Sequence, residues 1–438
     1  MCYQVKAGRT DLWRAQQVLC APAAALLARR ECGLRFPRPR AAASFAQRWT
    51  EGAARAFALL GWSPDGEASF DGALLPLSLA GSPQTDALLA GGRGTGALRL
   101  HEVVWPESDD DDASERERMR DDDEHGGWIS RGRVAPVLVL RDDVQRPSAV
   151  SALCALGGGG EGRTRVAVAW LGSGSSPGVL SLCEARRSTR TKLRERATHV
   201  LHASLWAAAV CSGDDPGPAV AFLGTSSGAL RLDLATMAAQ SMCRPGSDVL
   251  AVAAEASGAW ALCGLRNGGV VRADAREPSR ASPPHCFRVG ASAVTGLSLL
   301  GSGQWALGCG LDGTLARWDL RAPERGPVAT YAGHVNSATL GLRHVADAAG
   351  ALLAAPGEDG AVRLWSLPAA GQPLSQRCAA PAATGVATYT AATFEPHVDA
   401  PLRLWLGAHE GLALAAPAAA ELRAPGALPP AMQRWDAA

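Results

Sequence analysis

Lysine is almost missing from this chain of 438 residues: of 43 lysines and arginines, only Lys6 and Lys192 are lysine. With the surplus of Ala, Gly and Pro, that bias reads as codon usage, so a single arginine is weak functional testimony. An excess of one charge sign is also missing, since the formal net charge is +1. That balance excludes a globally basic nucleic-acid binder and a globally acidic one. No apolar run reaches the roughly 18 residues that a membrane span requires, and the start lacks a signal-peptide pattern, so a membrane or secreted protein is disfavoured. The eleven cysteines contain no CxxC pair, which argues against a zinc site or a disulfide framework. Cys263 and Cys309 sit inside apolar runs and are expected to be buried thiols.

Charge is instead distributed in islands. Residues 1–62 hold Lys6 and nine arginines against Asp11, Glu31 and Glu51, a net of +7. Residues 107–124 hold eleven acidic residues against Arg116, Arg118 and Arg120, a net of −8. A run of that charge repels itself and buries nothing, so it is expected to be a disordered insert. Phe45, Trp49, Ala53, Phe57 and Leu60 recur at steps of three or four, which predicts a helix, with an earlier one broken near Pro22. The expected layout is a basic, partly helical extension over 1–65, a main domain over 66–425 with an acidic insert at 104–133, and a tail over 426–438.

From residue 72 the pattern changes to short apolar runs separated by glycine-rich turns, an all-β signature. Ser257-Gly258-Ala259-Trp260-Ala261-Leu262 returns 45 residues later as Ser302-Gly303-Gln304-Trp305-Ala306-Leu307. A turn glycine followed by an apolar strand recurs seven times, at Gly96, Gly178, Gly228, Gly268, Gly313, Gly360 and Gly411. The one long interval, between Gly96 and Gly178, contains the acidic run. Each unit supplies about four short strands, too few to bury both of their faces alone. Seven units packed in a ring hide those faces, and a chain end is expected to supply the outer strand of the last unit, because a closed ring leaves no spare edge.

At these residues the chain resembles the WD-repeat β-propeller family, over roughly residues 72–416. The resemblance implies an all-β, seven-bladed propeller, with His334, Asp359, Trp365 and Trp318 as structural repeat residues. The unit from Gly333-His334 to Trp365 departs from the family pattern: Ser366 stands where the family has Asp, and Ala355 where it has Ser or Thr. The buried hydrogen-bond set is therefore expected to be incomplete. A narrower resemblance lies in Trp318-Asp319-Leu320-Arg321 and its counterpart Ala273-Asp274-Ala275-Arg276, both ending eight residues after a turn glycine. Cys183-Glu184-Ala185-Arg186 occupies the same place after Gly178. Such unit ends are similar to those of WD-repeat substrate receptors that dock on the adaptor of cullin-4 ubiquitin ligases. The resemblance implies adaptor docking through Arg276, Arg321, Asp274 and Asp319, capture of a second protein as substrate, and a monomer within a larger complex in the nucleus or cytoplasm.

Catalytic motifs are present only in outline. Gly174 to Gly178 and Gly224 to Gly228 fit the G-x-S-x-G pattern, but each leads into a strand, and Pro177 has no N–H to donate to an oxyanion. The glycine runs near residues 91 and 157 lack the Lys-Ser/Thr ending of a phosphate loop. No histidine cluster has metal-ligand spacing. The expectation is a non-catalytic interaction scaffold with no cofactor and no metal. A generic scaffold in a chromatin or RNA-processing assembly is the alternative, and nucleic-acid binding by the arginine-rich start is a third reading.

Overall fold

A computed structural model describes residues 57–64 and 72–417, except 80–84, 93–95, 106–135, 157–161, 173–175, 188–190, 212–218, 278, 280–282, 302, 348–350, 379–388, 396–402 and 409–410. The described residues form seven four-stranded antiparallel sheets, and in six of them the strand order follows the chain. Blade 1 is Ala73–Leu77, Ala87–Gly91, Ala97–Val104 and Val137–Gln145; blade 2 is Val150–Ala155, Arg163–Trp170, Val179–Arg186 and Lys192–Val200. Blade 3 is Leu205–Cys211, Val220–Thr225, Gly228–Asp233 and Ala239–Cys243, and blade 4 is Val249–Ala254, Trp260–Leu265, Gly269–Asp274 and His285–Arg288. Blade 5 is Val294–Leu300, Trp305–Gly310, Leu315–Asp319 and Ala329–Thr330; blade 6 is Val345–Ala346, Leu352–Pro356, Ala361–Ser366 and Ser375–Cys378. The seventh has three strands from the chain's end, Tyr389–Phe394, Leu404–Ala408 and Gly411–Pro417.

Its fourth strand is Phe57–Pro64, which pairs antiparallel with Gly411–Pro417 from Phe57↔Pro417 to Pro64↔Gly411. A strand that precedes blade 1 in the sequence therefore completes the seventh blade and closes the ring. This corrects the helix expected across Phe45 to Leu60 at its last turns: Phe57 and Leu60 are in a strand, and Phe45, Trp49 and Ala53 lie outside the described residues. The acidic run 107–124 also lies outside them. Its described flanks place it between the third and fourth strands of blade 1. Helix in the described residues is limited to a single 3-10 turn, Pro323–Arg325.

All seven anchor glycines stand between the second and third strands of their blades, or open the third. Gly96 has φ +66°, and a Cβ there would meet the Arg146 carbonyl oxygen at 2.0 Å. Gly178 lacks a positive φ and is required for a different reason: a Cβ would lie 2.6 Å from the Ala203 carbonyl oxygen of the next connection. The turns thus double as contact points with the neighbouring blade, where only glycine fits.

The core is a set of seven apolar clusters, one in each seam between blades. Trp170, Trp318, Trp365 and Trp405 are fully buried in four different seams. Trp318 stacks on Phe287 of blade 4 with ring centroids 4.9 Å apart. Cys263 and Cys309 are buried, and the described cysteines are free thiols. In blade 6 the family's hydrogen-bond set is not assembled. Trp365 Nε1 donates to the Ala332 carbonyl at 2.9 Å, and Asp359 accepts from Arg363 instead. His334 is buried, and burial lowers its pKa.

Candidate functional site

Because strands alternate in direction, the turns after the first and third strands of every blade emerge on one face of the ring. Asp274 ends the third strand of blade 4 and Asp319 that of blade 5, so both Trp-Asp-x-Arg-like turns stand on this face, one blade apart. In blade 4 the Asp274 carboxylate accepts from the Arg276 backbone N–H at 3.1 Å, from Nε at 2.9 Å and from Nη2 at 2.7 Å. Blade 5 repeats the geometry: Asp319 accepts from the Arg321 backbone N–H at 3.0 Å, from Nε at 2.9 Å and from Nη2 at 2.7 Å. In each case a short Asx turn brings the arginine back over its own aspartate, and the planar guanidinium completes a two-point pair.

The arginine side chains nevertheless remain 70% and 65% exposed, while the aspartates are 7% and 19% exposed. The carboxylate is sheltered and the guanidinium is presented. Hydrogen bonds from Arg276 hold Asp274 well below the usual carboxylate range, and those from Arg321 bring Asp319 to about 2. Each guanidinium uses Nε–H and one Nη2–H internally, which leaves three N–H donors directed outward for a partner's carboxylate or carbonyl. Held in one orientation, such a side chain loses less freedom on docking than a loose one.

Both turns rest on a tryptophan that the sequence displays but whose place at the site becomes visible only through strand pairing. Trp260 stands directly opposite Asp274, and Trp305 opposite Asp319. Arg272 lies over the Trp260 ring at 4.7 Å, while Arg317 and Arg321 lie over the Trp305 ring at 5.2 and 5.6 Å. The two sites differ in their second arginine. Arg272 reaches Asp274 at 3.1 Å, whereas Arg317 donates to the Leu367 carbonyl of blade 6 at 3.2 Å.

Among the described turns, those of blades 2, 3 and 6 lack the arrangement. Asp233 makes the same turn in blade 3, accepting from the backbone N–H groups of Ala235 and Thr236, but Ala235 stands where the arginine would be. At the corresponding end in blade 2, Glu184 pairs with Arg196 of the next strand and not with Arg186. In blade 6 the Ser366 hydroxyl accepts from the Ala369 N–H and its carbonyl from the Ala370 N–H. Of the expected site residues, Asp274, Arg276, Asp319 and Arg321 thus form a repeated surface unit in neighbouring blades, whereas Trp318, Trp365, His334 and Asp359 belong to the seams and turns of blades 5 and 6.

Of the motif resemblances, the one at Gly224 to Gly228 lies wholly within the described residues. Gly224 to Gly228 is a hairpin in which Thr225 pairs with Gly228 and donates its hydroxyl to the Gly228 carbonyl at 2.7 Å. Among the described residues no three His, Cys, Asp or Glu side chains are grouped to hold a metal ion. No helix among them is long and apolar enough to cross a membrane.

No family model matches the chain. It is similar to a protein of Homo sapiens described as "DDB1- and CUL4-associated factor 4-like protein 2", with 42% identity over 76 residues, 17% of this chain and 18% of the relative. The match thus spans less than a fifth of that relative's length. The fold and the repeat geometry make the described residues a seven-bladed β-propeller of the WD40 type, and over those 76 residues the chain resembles a DDB1- and CUL4-associated factor-like protein.

Proposed function

We infer that this propeller is a non-catalytic substrate receptor of a cullin-4-type ubiquitin ligase: its Arg276/Arg321 face docks on the ligase adaptor and another surface holds the protein to be ubiquitylated. The observation that carries the reading is the pair of matched, exposed Asp–Arg turns in blades 4 and 5. A surface ion pair of this kind adds little to stability, and a matched set on one face is the form that recognition of a partner takes. The partial relative supports the same class, since its name describes association with DDB1 and CUL4. The site of action under this reading is the nucleus or cytoplasm.

Affinity capture of the wild-type chain and of the Arg276→Ala/Arg321→Ala variant, followed by mass spectrometry, tests it. Wild type should recover the adaptor and the cullin, and the double variant should lose both. Equal recovery by both chains, or none by wild type, would favour a scaffold of some other assembly.

A further inference from the structure

A second charged surface lies on blade 2, on the same face of the ring as the Asp–Arg turns but made of other residues and at least two blades away. In the outer three strands of that blade, alternate residues face opposite neighbours. Thr164, Cys183, Ala185 and Leu193 share one side, where Cys183, Ala185 and Leu193 pack into the seam with blade 1 and the Leu193 N–H donates to Asp142. The other side faces blade 3, where Ala167, Ala169, Leu180 and Leu182 pack in the seam. Towards the outer end of this second side the apolar residues give way to cations. Arg163, Arg186 and Lys192 stand directly opposite one another across three strands, and the next row on that side is Arg165, Glu184 and Arg194. Arg196, at the bulge of the last strand, reaches back to Glu184.

All six cations are exposed, and Glu184 is the one carboxylate of the two rows. The bond from Arg196, with the nearby charges of Arg163 and Arg186, keeps its carboxyl below the ordinary range. Like charges directly opposite one another weaken a sheet, so three cations in one cross-strand row do not serve the fold. They are a cost that binding of an anion would relieve. Neighbouring strands put these charges about 4.8 Å apart, and alternate residues along a strand repeat at about 6.8 Å, the spacing that alternate side chains of an extended polypeptide also have. The same strand continues to Val200 beside a cleft at the seam with blade 3, lined by His199, His202, Ser227, Ser241 and Arg244. An extended ligand has room to run along this edge, whereas a single small anion would leave most of the row unmatched.

We propose that this edge of blade 2 binds an extended acidic segment of a partner protein, with Arg163, Arg186 and Lys192 as its central contacts. The two cationic rows contain no aromatic side chain on which a base could stack, which favours a polypeptide over single-stranded nucleic acid. The chain's own acidic run is anchored in blade 1, on the side of blade 2 opposite to the cations, and deletion of residues 107–124 distinguishes it from a segment supplied by another molecule.

Fluorescence anisotropy with a labelled oligoglutamate peptide and the full chain tests the proposal, with oligothymidylate as the comparison probe. Wild type should bind the peptide, more weakly as salt is raised. Arg163→Glu/Arg186→Glu/Lys192→Glu should weaken binding tenfold or more, and Arg165→Glu/Arg194→Glu gives a second reading should the triple variant fold poorly. The Arg276→Ala/Arg321→Ala variant should bind the peptide like wild type, which separates this surface from adaptor docking. Unchanged binding by both charge-reversed variants would overturn the proposal. So would tighter binding of oligothymidylate, or peptide binding that appears only after residues 107–124 are deleted, which would assign the surface to the chain's own segment.

Discussion

Arg321 holds Asp319 with its backbone N–H and two guanidinium N–H groups while its side chain stays 65% exposed, so loss of the side chain should be felt by a partner and hardly by the fold. The expected result for Arg321→Ala is a thermal midpoint close to wild type. Trp318, one strand position before Asp319, is its opposite: 1% exposed and stacked on Phe287 across the seam. Trp318→Ala should cost about 3–5 kcal/mol through lost burial and the cavity left behind, measurable by chemical denaturation. The Asp–Arg pair also sets an acid limit. Asp319 is depressed to about 2, so its contribution is complete above the ordinary carboxylate value and is lost only as pH falls towards about 2.

His344 titrates in a different window. It is buried with Nδ1 3.3 Å from Cys309 Sγ and Nε2 3.0 Å from Ser298 Oγ, and burial, with the charges of His334 and Arg343, pushes its pKa down to about 3. Between that value and about 6.5 the unfolded chain binds a proton that the folded chain refuses. Stability is therefore full above about pH 6.5 and should fall progressively below it. His334, lowered in the same direction by burial, adds to the effect. Denaturation midpoints measured from about pH 8 to pH 5 should decrease on acidification; a midpoint that rises would contradict the buried neutral imidazole.

Among the strands, Phe57–Pro64 has the largest consequence for its length, since it joins residue 57 to residue 417 and completes blade 7. Removing it would leave Gly411–Pro417 as an open edge, a template for pairing with other chains. A chain lacking residues 57–64 should melt at least about 5 °C lower, since a few degrees correspond to each kcal/mol, and should scatter light on concentration. An unchanged midpoint would show that the ring holds without this closure. The strand also marks where local sequence reading stops. Phe57 and Leu60 fit a helical step as well as a short apolar strand, and only pairing with a segment some 350 residues away decides between them. Turns such as those at Gly96, Gly268, Gly313 and Gly360 were legible for the converse reason: their positive φ is a local requirement for glycine, written into the sequence at the place where it acts.

The ring as a whole converts a modest sequence repeat into a patterned face. Gly268 and Gly313 fix where two strands begin, and the next six residues bring Asp274 and Asp319 to the same rim. That much follows from counting, which is why the four residues proposed for docking could be placed on one rim from the sequence. Trp260 and Trp305 were plain in the repeat, but their contact with the arginines depends on strand register, which no spacing reveals. The cationic edge of blade 2 escaped for a related reason. Arg163, Arg186 and Lys192 are scattered over 30 residues of an arginine-rich chain and become a row only when three strands align.

The central claim is that two matched arginines in neighbouring blades form one docking face, and titration of purified ligase adaptor into the purified chain tests it most directly. Wild type should bind saturably. Arg276→Ala and Arg321→Ala should each weaken binding by about tenfold or more, as truncation of an interface arginine at a hot spot does. The double variant should bind weakest of all while keeping the circular dichroism and melting profile of wild type. Adaptor affinity unchanged in the correctly folded double variant would contradict the account.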